Sequence, residues 1–324
     1  MKSLKTGIAV LIFIIGAFLI NGCNKNNATD PNANISDDEY LQNVVTNGYS
    51  SGSDEDNVMT REHTDLDNGG AVYDDDNNPG DNPIDSLKRW GRKITNVNIN
   101  YSISGDDSIK TVLVTRTISG VYIIRGWSGG SFDSINKPYT EVLKRNIVFK
   151  RVARFANPRL NWRVYQISNV DGGTTSPQVG SSQVQITKVE VYVSGQMTPK
   201  YVFNGPDFQN QLYTTILFGG TGIPSFVRGE HITVNIFTIS QQQPVDYVAF
   251  HWARNSFGFH RIPFTLLSQT GNNRIYTKNF TIYQNHPLGV FNAYFSANTH
   301  ESLYDDDISK FASDFVGIPY KVLQ

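Results

Sequence analysis

The sequence predicts a mainly β protein, with an α+β first domain over residues 35–194 and a β-sandwich over 195–324. Three observations carry this expectation. From Ile94 onward apolar residues recur at every second position, the period of a strand with one buried face. Turn signals such as Gly105-Asp106-Asp107 and Thr270-Gly271-Asn272-Asn273 separate these runs. Helical spacing is confined to short stretches, none long enough to build a helical layer. Hydrophobic residues make up 39% of the chain and aromatic residues 12%, enough for packed cores in two domains.

The chain begins with Lys2 and Lys5, then an apolar run from Gly7 to Ile20 closed by Asn21-Gly22-Cys23. The run is short for a bilayer span, which needs roughly 20 residues. Its charge, length and small-residue exit suit a secretory signal. The segment resembles the type II signal peptide of bacterial lipoproteins, with Ile20-Asn21-Gly22-Cys23 as the lipobox. The resemblance implies a signal peptide over 1–22, cleavage before Cys23, and lipid attachment (palmitate-type acyl chains) at that residue. Asn21 departs from the small or apolar residue usual at its place. Cys23 is the one cysteine in 324 residues, so the rest of the chain is expected to hold together without disulfides. Asn24 follows where an aspartate would imply inner-membrane retention by the family's sorting rule, so the expected location is the outer membrane of a bacterial envelope.

Residues 23–34 read as a polar, lipidated tether. Ser36-Asp37-Asp38-Glu39 then forms a capping box, with Ile35 and Tyr40 at staple positions. Tyr40, Leu41, Val44 and Val45 share one helical face, and Asn47-Gly48 stops the helix. A second short helix is expected at 82–87, with Pro83 in its first turn and Ile84, Leu87 and Trp90 facing inward. A hairpin turning at Gly105-Asp106-Asp107 follows, alternating through Val97, Ile99, Tyr101 and Ile103. Next, Leu143, Ile147, Phe149, Ala153 and Phe155 are expected on one face of a strand, with Lys144, Asn146 and Lys150 on the other. Strands "NWRVYQIS" and "SQVQITKVEVYV" complete this region.

This order of short helices, long hairpin, "KPYTEVLKRNIVFKR" and "NWRVYQIS" resembles the NTF2-like α+β superfamily over residues 36–194. The resemblance implies helices packed into the concave face of a bent antiparallel sheet, around a cone-shaped cavity for small ligands or acid–base chemistry. A plain barrel or sandwich is the alternative. From about 200 onward, "GEHITVNIFTI", "DYVAFHWAR", "RIPFTLLS", "RIYTKNFTIY", "GVFNAYFSA" and "PYKVL" are strands at the spacing of an immunoglobulin-like sandwich. "YDDDISKFASDF" is expected to interrupt them as a helix capped by Asp305 or Asp306.

Charge is uninformative at −1 until it is divided by position. Residues 24–86 hold 15 acidic against 2 basic residues, a balance of −13. Residues 87–170 hold 4 acidic against 15 basic, a balance of +11. The expected arrangement docks the first segment on the second. The basic residues Arg116, Arg125, Lys144, Arg145, Lys150, Arg151, Arg154 and Arg163 are spread over strands without aromatic interleaving, so no nucleic-acid partner is expected.

Motifs for chemistry are few. Gly126-Trp127-Ser128-Gly129-Gly130 fits G-x-S-x-G, but a serine nucleophile needs a strand-to-helix turn, and "SFDSINKP" is no helix start. It reads as a hairpin loop. Asp65, Asp67, Gly70, Val72 and Asp76 stand at calcium-loop places, but Gly69 spoils the fifth, and an acidic solvated loop is the preferred reading. The six histidines show no metal spacing, with His251 and His260 on or beside strands. Trp252, Phe257, Phe259 and Arg254 read as an aromatic lip or, preferentially, as sandwich core. Asp106, Asp107 and Asp133 read as turn residues. No catalytic residue, metal ligand or cofactor is assigned. The expected function is a membrane-anchored, non-catalytic binding or scaffold module whose partners are the bilayer and an envelope protein or glycan. The alternative is a small-ligand-binding or acid–base enzyme in the NTF2-like cavity.

Overall fold

The computed structural model describes residues 35–47, 72–75, 86–177, 183–241, 245–253 and 259–324; side chains are described for 35–46, 87, 90–177, 183–241, 245–251 and 261–324. Cys23 and the tether lie outside them, as do Ile84, Asp65, Asp67, Gly69, Gly70 and Asp76. Helix α1 (Asp37–Asn47) opens the described chain. Its capping box is present in part, for Ser36 Oγ accepts the Glu39 N–H at 3.2 Å. Tyr40, Leu41, Val44 and Val45 are all buried, as their spacing predicts.

The helix rests on very long strands. β1 (Val72–Asp75), β2 (Ser86–Gly105), β3 (Ile109–Ser128) and β4 (Ser131–Arg151) run antiparallel in sequence order. The β2–β3 turn falls where expected, with Gly105 at φ 114° and Asp106 Oδ1 accepting the N–H groups of Ser108 and Ile109. The second helix expected at 82–87 is not what residues 86–90 form, since they belong to β2. A bulge between Leu87 and Arg89 inserts one residue, which resets the alternation. Leu87 and Trp90 therefore both turn inward although three residues apart, a spacing that mimics a helix.

Gly129 and Gly130, both at positive φ, close the β3–β4 hairpin in two residues, and β4 starts at once with Ser131. Asp133 is thus a strand residue rather than a turn. β4 buries Leu143, Ile147 and Phe149 on its inner face. It ends at Arg151, so Ala153 and Phe155 leave that face, and Phe155 is exposed.

β5 (Trp162–Ser168) and β6 (Val170–Ser176) both pair with β4, along different stretches of it. β7 (Val184–Val193) and β8 (Tyr201–Asn204) leave for a second sheet, while the short β9 (Leu212–Thr214) pairs with β5. The remaining strands are β10 (Ser225–Val227), β11 (His231–Ser240), β12 (Tyr247–Ala253), β13 (Phe259–Pro263), β14 (Thr265–Thr270), β15 (Asn273–Thr281) and β16 (Gly289–Asn298). Helix α2 (His300–Tyr304) and β17 (Ser313–Leu323) close the chain. The helix expected in "YDDDISKFASDF" is displaced: Asp305 is the C-terminal cap of α2, and Ser313–Phe315 are strand. Phe311 and Phe315 are four apart because a loop and a strand each deliver one ring to the same core.

Among the described residues one sheet runs β1-β2-β3-β4-β6-β17-β16-β12-β13, and a second runs β14-β15-β11-β7-β8. The architecture is mainly β and antiparallel, with the second sheet stacked on the β10-β17-β16-β12 part of the first as a sandwich. The sheets run across the division expected at 194/195. β6 joins β17, and β7 sits beside β11. Three cores result. One fills the sandwich. A second lies under α2 along β2, β3 and β4. The third lies under α1 toward the other end of β3 and β4.

Candidate functional site

The sandwich core is incompletely filled. Between its two sheets lies a cavity of about 270 Å³ with an open mouth. Val191 of β7, Phe203 of β8, and Ile232 and Val234 of β11 form one wall. Phe250 of β12, Ala293 and Phe295 of β16, and Ile318 and Tyr320 of β17 form the other. Each reaches the inside because strand residues two apart share a face. Ala293 matters most to the space: it is the small residue among rings, and a larger side chain there would point into the void.

The segment 282–288 after β15 adds Ile282, Tyr283 and His286 to the lining. Gly229 N–H donates to Ile282 O at 2.7 Å, Ile282 N–H donates to Glu230 O at 2.9 Å, and Arg228 Nε donates to His286 O at 2.6 Å. Gly229 has φ +79°, the left-handed region that favours glycine over residues with a side chain. His286 packs its ring on Phe291 with centroids 4.6 Å apart and is held at Nδ1 against Pro287 O. The polar groups of the lining are this imidazole, the hydroxyls of Thr281, Tyr283 and Tyr320, and main chain; the rest is hydrocarbon. Such a wall offers an apolar guest van der Waals contact and relief from water.

Other clusters of reactive groups are closed. His251 Nε2 and Ser296 Oγ are 2.6 Å apart, and Asn298 Nδ2 donates to the same oxygen at 3.2 Å. This has the look of a base and nucleophile, but Ser296 is fully buried and no substrate reaches it. Arg92 bonds Glu141 at 2.9 Å, with Ser313 Oγ donating to the same carboxylate oxygen at 3.0 Å. Burial raises the Glu141 pKa while Arg92 opposes the rise. Lys137 is completely buried, donating to Glu301 O at 2.7 Å and Lys310 O at 2.9 Å. Burial lowers its pKa to about 8. These interior ions serve the packing.

The sequence candidates scatter. Ser128 of the G-x-S-x-G stretch sits at a hairpin end, with Trp127 and Phe132 exposed beside it. Val72–Asp75 of the calcium-like stretch form β1, paired with β2, rather than loop. Phe257 and Arg254 lie outside the described residues, and Trp252, Phe259 and His260 are placed by backbone alone, paired across β12 and β13. Arg116 and Arg145 are buried, Arg125, Lys144, Lys150 and Arg154 are exposed, and Arg151 and Arg163 are half-buried, Arg151 paired with Asp37. Among the described residues no group of three His, Cys, Asp or Glu side chains could hold a metal, and no helix is long and apolar enough to cross a membrane. The cavity is not legible in the sequence, because its residues read as ordinary core. Ala293 between Phe291 and Phe295 was the one signal of missing volume.

No family model matches the chain, and no curated protein matches it. Among solved structures it is similar to a Niemann-Pick type C2 protein from the Japanese carpenter ant, at 10% identity and a TM-score of 0.25, covering 44% of this chain and 96% of that one. A likeness of that size supports no argument about fold or function.

Proposed function

We propose that this chain is a lipid-anchored, extracytoplasmic binding protein that holds an apolar ligand between the sheets of its sandwich. The open, hydrocarbon-lined cavity is the observation that carries the reading. An apolar cavity of roughly 150 Å³ holds a benzene ring, so this one suits an aliphatic or fused-ring group of about ten carbons. Hydroxyls and His286 at the mouth suit a guest with one polar end. Anchoring rests on the lipobox ending at Cys23. The alternative, acid–base chemistry in an NTF2-like cone, has less support. The apolar side chains of α1 fill one end of the sheet face such a cavity would need.

Binding is tested by titrating the protein with decanoic acid or 1-decanol by calorimetry. The wild type should bind, and Ala293→Trp should weaken binding at least about ten-fold with the melting temperature kept or raised, because the indole fills the void. Equal affinity in the variant would refute the site. Anchoring is tested separately with an alkynyl fatty acid fed to expressing cells, which should label the wild type and leave Cys23→Ser unlabelled.

A further inference from the structure

The loop from β4 to β5 and the turn after β9 expose bulky apolar side chains among cations. Phe155 is 59% exposed, Leu160 47%, Ile216 59% and Leu217 68%. The second segment packs on the strands that flank the first. Thr215 N–H donates to Tyr165 O at 3.0 Å, and Lys150 Nζ stands 5.3 Å from the Tyr165 ring and 5.5 Å from the Phe218 ring. The loop is built to this shape. The buried Asn161 side chain accepts the Phe155 N–H at 2.6 Å and donates to Phe155 O at 2.8 Å, while Asn157 Oδ1 accepts from Arg159 N–H at 3.0 Å. Phe155 is therefore held outward by a fixed backbone. Exposing large apolar groups costs solubility, and patches of this kind mark contact surfaces.

Charge says what covers this one. Lys150, Arg151, Arg154, Arg159 and Arg163 lie in or beside these segments, and no aspartate or glutamate occurs from 142 to 170 or from 208 to 229. The acidic first turn of α1 borders the face, with Asp37 paired to Arg151, and leaves the cations in excess. Leu160 and Ile216–Leu217 sit on tight 3-10 turns, Pro158–Leu160 and Ile216–Phe218, and all three side chains are exposed. Exposed apolar side chains among an excess of cations match the interfacial zone of an anionic bilayer, where the rings and branched chains enter the acyl boundary and the cations meet the headgroups. We propose that residues 152–163 and 216–218 form a docking face for an anionic lipid surface. It holds the body of the protein against the membrane in one orientation, independently of acylation at Cys23 and of the sandwich cavity.

The test uses the full chain with Cys23→Ser, reconstituted into vesicles, carrying a bimane fluorophore on Phe155→Cys or Leu217→Cys. Met197→Cys, in an exposed turn elsewhere, is the control. In phosphatidylglycerol-rich vesicles, acrylamide quenching at 155 and 217 should fall at least about three-fold relative to the same variants in neutral phosphatidylcholine, and recover in high salt. Quenching at 197 should not change. Equal quenching at all three positions overturns the proposal. So does protection at 155 and 217 that is already present without vesicles, which would mean a second copy or this chain's own acidic segment covers the face. Equal protection in neutral and anionic vesicles overturns the electrostatic part and with it the lipid class. Decanoate titration of the same samples reads the cavity separately.

Discussion

The inner faces of β4 and β11 alternate with the same period and are buried to the same depth, yet they are filled with opposite chemistry. On β11 the inward residues run Ile232, Val234, Ile236, Thr238 and Ser240. The space in front of the first two stays partly open, and only at the far end does Ser240 donate to Asp246 of the buried Asp246–Arg274 pair. On β4 they run Lys137, Tyr139, Glu141, Leu143, Arg145, Ile147 and Phe149, with Lys137 and Glu141 fully buried. An apolar wall needs only contact, and contact tolerates a void that a guest can fill. A buried ion needs partners at hydrogen-bond distance and fixes where they stand. Glu141 fixes β2 through Arg92 and β17 through Ser313, while Lys137 fixes both ends of the α2 region through Glu301 O and Lys310 O. The face of β4 is thus tied at fixed points along its length, whereas the cavity end of β11 is bounded by hydrocarbon contact.

The largest break should come at Glu141. Glu141→Ala strands the buried Arg92 guanidinium, which is 4% exposed and stacked over Phe315 at 4.1 Å. A loss of about 3–5 kcal/mol is expected in urea unfolding. The double variant Arg92→Met with Glu141→Met should recover most of it. If Glu141→Ala costs under about 1 kcal/mol, the pair does not organise this half.

Leu41→Ala tests the apolar end of the same face, where β3 and β4 change from ions to Val112, Val114, Ile147 and Phe149 under α1. Leu41 is fully buried, and a loss of about 2–4 kcal/mol is expected, with ligand binding in the sandwich unchanged. Any matching loss of decanoate affinity would show that the two halves do not act separately.

The apolar half was the more legible in the sequence. Each strand run expected from 229 onward became β11 to β16 or the end of β17, because one hydrophobic face with turns between is all those segments encode. The α1 stripe was legible for the same reason. The charged half was less so. Nothing local marks Glu141, Lys137 or Arg145 for burial, since their partners on β17, in the α2 region and on β16 lie over 140 residues away. The bulge at Leu87 imitated a helix, and the β6–β17 junction depends on pairing that no local pattern announces.

At that junction Asp171 gives a smaller, pH-dependent effect. Burial and the nearby Asp207 charge raise its pKa to about 6, against opposition from the Phe208 N–H and Lys144. A carboxyl held above its unfolded value of ~3.9 binds its proton more tightly in the fold, so its contribution is full below about pH 4 and is lost as pH rises through 6. Asp171→Asn should therefore raise stability by about 1–2 kcal/mol at pH 7.5 and leave it unchanged at pH 4. Asp314 is raised in the same sense by burial and, to a lesser degree, by the Asp171 charge, so the variant also relieves part of its shift. A gain of equal size at both pH values would locate the effect in packing rather than ionisation.

The smallest effect is expected where acidic and basic segments meet at the surface. Lys110 Nζ lies 2.6 Å from Asp38 Oδ1, but Asp38 is half exposed, and water screens the pair. Asp38 also stands in the first turn of α1, where any anion is favoured by the helix dipole, so Asp38→Ala alone overstates the pair. A double-mutant cycle with Lys110→Ala removes that contribution. The coupling should be about 0–1 kcal/mol at low salt and fall toward zero at high salt. Refolding, by contrast, should slow with salt in the wild type, since long-range attraction between a −13 segment and a +11 segment acts before contact forms. A coupling above about 2 kcal/mol would mean that this pair is shielded like the Arg92–Glu141 ions. The contrast between a face held by buried ions and a helix held by hydrocarbon would then no longer separate α1 from the rest of its own sheet.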